Sequence, residues 1–280
     1  GHARRMSPRM LVNGIATDAV AATDRGLAYG DGLFETIRLV DGVAPLWSRH
    51  MHRLADSCDR LRLPAPDASQ LWREARQASE GMTQAVVRIT WTRGVGQRGY
   101  APPAVPRPTR VVAAFAPPPT DPAAHARGVR VRLCTLRLAE QPQLAGMKHL
   151  NRLEQVLARA EWDDPAIADG VLCDSAGRVV CTTMANLFAV IDGELVTPAL
   201  QRCGVAGVAR AQILAEAPQT RVIDLSPDDL HRASEVFTSS SVRGIVPVRA
   251  LDAWTWTPGP VTRQWQRHWQ ALGFAQEVAA

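Results

Sequence analysis

The chain has 280 residues and a mass of 30.4 kDa, with 46% hydrophobic and 21% charged residues, a balance that excludes disordered, collagen-like and fibrous proteins. Its formal charge of +5 rests on 32 basic residues scattered among 27 acids, with no basic tract to suggest nucleic-acid binding. All the basic residues but Lys148 are arginine, so the chain carries a single lysine.

Residues 1–6 read as a tag or tail, with Gly1 and His2 as its remnant and Met6 as the natural start; two arginines there precede no hydrophobic stretch, unlike a secretory signal. Leu11-Val12-Asn13-Gly14-Ile15 predicts a hairpin. Phe34 to Val40 predicts a strand, Asp41-Gly42 its turn and Val43 to Leu46 the return. Trp47, Met51, Leu54, Cys58 and Leu61 recur at helical spacing up to Pro64, and a second helix is expected over Ala68 to Glu80. Val86 to Thr92 and Arg110 to Ala116 read as strands. The prolines from Pro117 to Pro122 favour an extended, stiff connection, which divides the chain into residues 1–117, a linker at 118–128 and residues 129–280.

Beyond the linker, Val129 to Cys134 predicts a strand and Asn151 to Trp162 a helix. Gly170 to Val180 and Leu187 to Val196 read as hairpins turning at Ala176-Gly177 and Asp192-Gly193. Helices follow at Gly207 to Ala217 and Thr262 to Leu272, with strands at Val222 to Leu225, Glu235 to Ser239 and Ile245 to Arg249. Hairpins and helices mixed in both halves, without regular alternation, give an α+β fold. The five cysteines are odd in number and form no C-x-x-C pair, so neither a disulfide framework nor a metal site is expected, in keeping with a reducing cytoplasm. No apolar run approaches the ~18 residues of a membrane helix.

Lys148 follows Leu144-Ala145-Gly146-Met147 and approaches a predicted helix start. Partial desolvation there would raise the nucleophilic fraction of its amine, chemistry that a guanidinium cannot perform. The alternative is a surface lysine snorkelling at a helix N-terminus, an end whose dipole disfavours a cation. Gly204-Val205-Ala206-Gly207-Val208-Ala209 runs into a helix whose first N–H groups suit an anion. Ser239-Ser240-Ser241 reads by itself as a strand-end loop.

The segment Lys148-His149-Leu150-Asn151-Arg152-Leu153-Glu154-Gln155-Val156 resembles the Schiff-base segment of the class IV, pyridoxal-phosphate-dependent aminotransferase-like family, in its aminodeoxychorismate lyase branch. Five other ordered motifs share the resemblance, which runs from Val12 to Val248. They are Asp24 to Thr36, His50 to Leu54, Arg93 to Tyr100, Ala185 to Phe188, and Gly204 to Arg210.

The resemblance implies a two-domain class IV fold of the D-amino-acid aminotransferase type, pyridoxal 5'-phosphate bound to Lys148, and a homodimer. It assigns the cofactor phosphate to Arg53, the N–H groups of Val208 and Ala209, and Ser240 and Ser241. Five residues before Asn186, where many members carry a glutamate against the pyridine nitrogen, stands Cys181, a weak donor; the alternative is a local slip that brings Asp174 or Glu194 to the ring. Arg98 and Tyr100 suit a substrate carboxylate, with Tyr29 and Thr36 as further substrate contacts, and His149 is expected to be structural.

The activity implied is release of p-aminobenzoate and pyruvate from 4-amino-4-deoxychorismate, a step of folate biosynthesis, with a D-amino-acid or branched-chain aminotransferase as the alternative. A basic module for an acidic metabolite or nucleic acid is the alternative from another class. No metal, nucleic-acid or membrane partner is expected.

Overall fold

The computed structural model describes residues 9–274, in which the chain divides into two units. The first runs to Pro118 and adds Lys148–Leu150; the second takes Pro119–Met147 and the chain from Asn151 onward.

In the first unit, Asn13 and Gly14 have φ of 50° and 80°, the left-handed pair of a tight hairpin turn joining β1 (Arg9–Val12) to β2 (Ile15–Ala16). A short helix absent from the sequence reading follows, α1 (Arg25–Tyr29), whose N-cap Asp24 accepts from Gly26 N. Five residues are too few to show a helical period. Next come β3 (Gly32–Val40) and α2 (Trp47–Leu61). The expected return strand at Val43 to Leu46 shrinks to one bridge, Val40 to Val43, because Pro45 has no N–H to continue a ladder.

The helix α2 ends at Arg62 in the left-handed conformation, ahead of Pro64; α3 (Ala68–Ala78) begins at Asp67, which caps Ser69 N and Gln70 N. The strands β4 (Gln84–Thr92) and β5 (Thr109–Phe115) complete a five-stranded antiparallel sheet in the order β2-β1-β5-β4-β3. Along β3, Leu33, Glu35, Ile37 and Leu39 are buried on the side that meets α2, and Phe34, Thr36 and Arg38 alternate onto the other face. Burying a leucine such as Leu33 or Leu39 contributes roughly 1.5–3 kcal/mol.

The second unit begins with a correction to the linker: Pro122–Arg127 is a helix, α4, with Asp121 accepting from Ala123 N and Pro122 in the first turn, where its missing N–H costs nothing. It continues with β6 (Val129–Leu138), α5 (Leu153–Arg159), β7 (Ile167–Asp174), β8 (Val179–Thr182), β9 (Asn186–Ile191), β10 (Glu194–Pro198) and α6 (Val208–Glu216). Then follow β11 (Arg221–Ile223), α7 (Pro227–His231), β12 (Glu235–Ser240), β13 (Gly244–Leu251), β14 (Trp254–Thr255) and α8 (Pro260–Ala271).

The larger sheet runs β11-β10-β9-β12-β13-β6-β7-β8, with β14 beside β13, and is parallel at β13–β6, β6–β7 and β10–β11. Phe188 of β9 and Phe237 of β12 lie in register, fully buried, with stacked rings 5.2 Å apart. Glu235 closes α8 by accepting from Thr262 N and Oγ1, both at 2.8 Å, so the buried carboxylate satisfies donors that a helix start leaves open.

Candidate active site

Lys148 lies in an extended segment, five residues before α5, instead of at a helix start. Its carbonyl accepts from Phe34 N at 3.0 Å, His149 bridges Leu33, and Leu150 N donates to Gly32 O, so the segment pairs along β3 as a short antiparallel addition. Opposite positions of such a pair share a face. The Lys148 side chain therefore joins Phe34 and Thr36 on the face away from α2, with Nζ 4.3 Å from the Phe34 ring centroid.

Beneath that strand, on the α2 side, stands a charged cluster that the sequence reading passed over. Glu35 and His50 are each 1% exposed; the Glu35 carboxylate accepts from His50 Nδ1 at 2.6 Å and from Arg53 Nε at 2.9 Å, with Arg53 Nη2 as a second donor. Burial alone would raise the Glu35 carboxyl, but Arg53 and the hydrogen bond from His50 outweigh it and hold the group down at about 2. Burial likewise pushes the His50 imidazole below its ordinary value, against the opposing pull of Glu35, so the ring is a neutral donor and not an imidazolium. Arg53, expected at the phosphate, thus has two donors fixed by Glu35. The signal in the sequence was a carboxylate inside an otherwise apolar alternation.

Tyr100 and Tyr29 come together in a second cluster, on the loop that carries exposed Arg98. Buried Arg25 donates to the carbonyls of Gly99 at 2.9 Å, Tyr100 at 2.8 Å and Ala101 at 3.4 Å, and its Nε reaches Asp31 Oδ2. Asp31 also receives Arg93, whose remaining donors hold the carbonyls of Leu61 and Arg62. The Tyr29 hydroxyl accepts from Gly99 N, and its ring lies 5.3 Å from that of Tyr100. One arginine fork therefore sets the backbone of the loop that presents Arg98 and the exposed Tyr100 to solvent.

In the second unit, Asn186 organises the turn before α6: its Nδ2 donates to Val205 O at 2.9 Å and its Oδ1 accepts from Gly207 N at 3.0 Å. A Cβ at position 207 would lie 2.1 Å from Asn186 Oδ1, so only glycine fits this cradle. The N-cap of α6, Gly207, has no side chain to cap the helix, and the first N–H groups of a helix have no partner within it; those of Val208 and Ala209 can meet an anion. Ser239, in register with Asn186, is buried on the same side of the sheet. Ser240 accepts from Arg243 N at the turn into β13, and Ser241 begins that turn.

Cys181 pairs with Leu172 inside an apolar cluster with Val180, Leu200 and Cys203; burial, then the nearby Cys203 and Asp169, pushes its thiol far up and keeps it protonated. Both carboxylates offered as its substitutes are engaged elsewhere. Asp174 accepts from Arg178 Nε at 2.7 Å and from the turn amides of Ala176 and Arg178, and exposed Glu194 pairs with Arg221.

A family model described as amino-transferase class IV matches residues 32–251. The chain is 39% identical over 246 residues to the aminodeoxychorismate lyase of Vibrio harveyi, an alignment covering 86% of this chain and 91% of the relative. Among solved structures, it is similar to 4-amino-4-deoxychorismate lyase from Pseudomonas aeruginosa, 45% identical with a TM-score of 0.89 over 94% of this chain and 98% of the other. The branched-chain amino acid aminotransferase of Escherichia coli is 27% identical, with a TM-score of 0.83 over 94% of each chain.

Proposed function

We infer that this chain, which belongs to the amino-transferase class IV family, is a pyridoxal-phosphate-dependent lyase converting 4-amino-4-deoxychorismate to p-aminobenzoate and pyruvate. The observation that carries the reading is Lys148, the single lysine of the sequence, fixed on β3 with its amine against Phe34. Greater similarity to the two lyases than to the aminotransferase supports the choice of reaction.

The residues present fit the cofactor. Lys148 offers the amine, and the uncapped start of α6 with its glycine cradle suits a phosphate. Arg53, Val208 and Ala209, with Ser240 and Ser241, would hold that phosphate, and Cys181 would stand at the pyridine nitrogen. When bound, pyridoxal phosphate supplies an aldehyde that condenses with an amine and a ring that draws electron density from the adjoining carbon.

Lys148 Nζ then takes the proton from C4 of the substrate and delivers one to the methylene carbon of the departing enolpyruvyl group. Arg98 and Tyr100, with Tyr29 and Thr36, orient the substrate. A neutral thiol at position 181 places no negative charge beside the pyridine nitrogen, which weakens electron withdrawal for transamination. An elimination that ends in an aromatic ring depends less on it. The homodimer usual in the family belongs to the same proposal.

The test is the absorbance of the purified protein before and after addition of 4-amino-4-deoxychorismate. Expected are a lysine-bound cofactor band and equal yields of p-aminobenzoate and pyruvate; absence of those products overturns the lyase reading. Conversion to the amine form of the cofactor on incubation with D-alanine or leucine would favour an aminotransferase instead.

A further inference from the structure

We propose that Arg88, with Arg38 beside it, forms a carboxylate-binding subsite for the ring carboxylate of the substrate, on the sheet face that carries Lys148. The proposal rests on the reading of Lys148 as the group that meets the substrate amine.

The register of β3 and β4 pairs Phe34 with Thr90, Thr36 with Arg88 and Arg38 with Val86, so these six residues share one face. No acid is among them; Glu35 belongs to the opposite face, where it takes His50 and Arg53. Arg88 Cζ lies 4.4 Å from the centroid of the same Phe34 ring that Lys148 Nζ approaches to 4.3 Å. The amine and the guanidinium therefore lie against one aromatic ring, no more than about 9 Å from each other.

The substrate has a matching layout. Its C4 amine and its ring carboxylate stand across one six-membered ring, so an amine delivered to Lys148 leaves the carboxylate a ring's length away, in reach of Arg88. Arg38 is the diagonal neighbour of Arg88 across the strands, and its Nη2 donates to Gln84 Oε1 at 2.9 Å, which orients the guanidinium. Among the described residues Arg88 enters no ion pair, and although solvent reaches it, the surrounding protein disfavours its charge, as burial does for Arg38. A cation so placed gains from an anion, and a planar fork grips a carboxylate through two parallel hydrogen bonds. The second carboxylate of the substrate is left to Arg98.

The experiment uses the holoenzyme and its Arg88→Leu, Arg88→Lys and Arg38→Leu variants, each checked for its melting transition and cofactor band. Loss of a charge-assisted hydrogen bond predicts a KM for 4-amino-4-deoxychorismate raised about tenfold or more by Arg88→Leu, with kcat changed less than about threefold. Arg88→Lys should recover part of the loss, and Arg38→Leu should show a smaller rise.

Competition with p-aminobenzoate and p-aminobenzamide isolates the carboxylate. The wild type should prefer the acid and Arg88→Leu should lose that preference while binding the amide unchanged. Equal weakening of acid and amide, or a fall in kcat at constant KM, overturns the subsite. If the wild type does not turn over 4-amino-4-deoxychorismate, the lyase reading fails. The acid-over-amide preference, read by the shift in melting temperature, then decides the subsite independently, and its absence overturns it.

Discussion

The Lys148 amine rests 4.3 Å from the centroid of Phe34, and the backbones of the same two residues are joined by the Phe34 N–H to Lys148 C=O hydrogen bond at 3.0 Å. The lysine is thus held at both ends of its reach, by strand pairing at the main chain and by an aromatic face at the tip. A nucleophile held in this way needs little further ordering when a substrate arrives.

Lys148→Ala removes every side-chain amine in the protein, which makes the substitution an unusually clean one. Borohydride treatment of the wild type should fix the cofactor to one peptide containing residue 148, and the variant should show neither the lysine-bound absorbance band nor a labelled peptide. Turnover should fall by at least ~10²–10⁴-fold, the range of a lost general acid–base group. A persistent band in the variant would sink the assignment.

Glu35 predicts the acid limit of stability. Its carboxyl sits at about 2 in the folded protein against an ordinary 4.5, so the unfolded chain binds the extra proton first. The stabilisation is complete above about 4.5 and is lost as the pH falls toward 2. His50 acts in the same direction earlier, because its buried ring resists the proton that the unfolded chain accepts near 6.5. The melting temperature should therefore decline from about pH 6.5 downward and steepen below 4.5. Glu35→Gln removes the buried charge that Arg53 and His50 share and should cost about 3–5 kcal/mol at neutral pH while flattening the decline below 4.5. Parallel melting curves for the two proteins across that range would refute this account.

The elements legible in the sequence were those whose signal is local. Asn13-Gly14 and Asp192-Gly193 adopt the positive φ that their turns require, and the apolar stripe of α2 runs close to its observed ends. The failures have physical causes. Pro45 cannot continue the ladder that its apolar neighbours advertised, and α1 and α7 are too short to show a period. The lysine was legible by its isolation in the composition. Its setting was not, because the pairing of Lys148 with Phe34 and the reach of Arg25 to Gly99 join residues far apart in the chain. Glu35 was hidden for a related reason: an acid in a strand acquires meaning only when His50 and Arg53 arrive from the next helix.

Gly207 tests the anion site without touching a charged group. Its φ of −65° suits any residue, so the effect of Gly207→Ala is purely steric, a Cβ driven against Asn186 Oδ1. Displacing Asn186 breaks its bonds to both Val205 and Gly207 and shifts the first N–H groups of α6. Overpacking of this kind costs about 1–3 kcal/mol. Titrating the cofactor-free variant with pyridoxal phosphate should show binding weakened about tenfold or more, since anion capture at a helix start depends on where those donors point. Unchanged affinity would remove the start of α6 from the phosphate assignment.

Arg25 offers the most direct test of how the first unit shapes its recognition loop. Its guanidinium holds three successive carbonyls and Asp31, a geometry that a planar fork can satisfy and an ammonium cannot. Arg25→Lys should therefore behave nearly as badly as Arg25→Gln. In either variant the carbonyls of Gly99, Tyr100 and Ala101 lose their shared donor, leaving the bond from Gly99 N–H to the Tyr29 hydroxyl as a local tie. The loop then opens more often, and cleavage by trypsin after exposed Arg98 should accelerate about tenfold or more, because cleavage of a native loop follows the population of its open form. With the cofactor band intact, KM should rise more than kcat falls, as expected where substrate positioning is lost and the reacting amine is untouched. Wild-type tryptic kinetics in Arg25→Gln would mean that the loop is held by something other than this arginine, and Arg98 would need a different anchor.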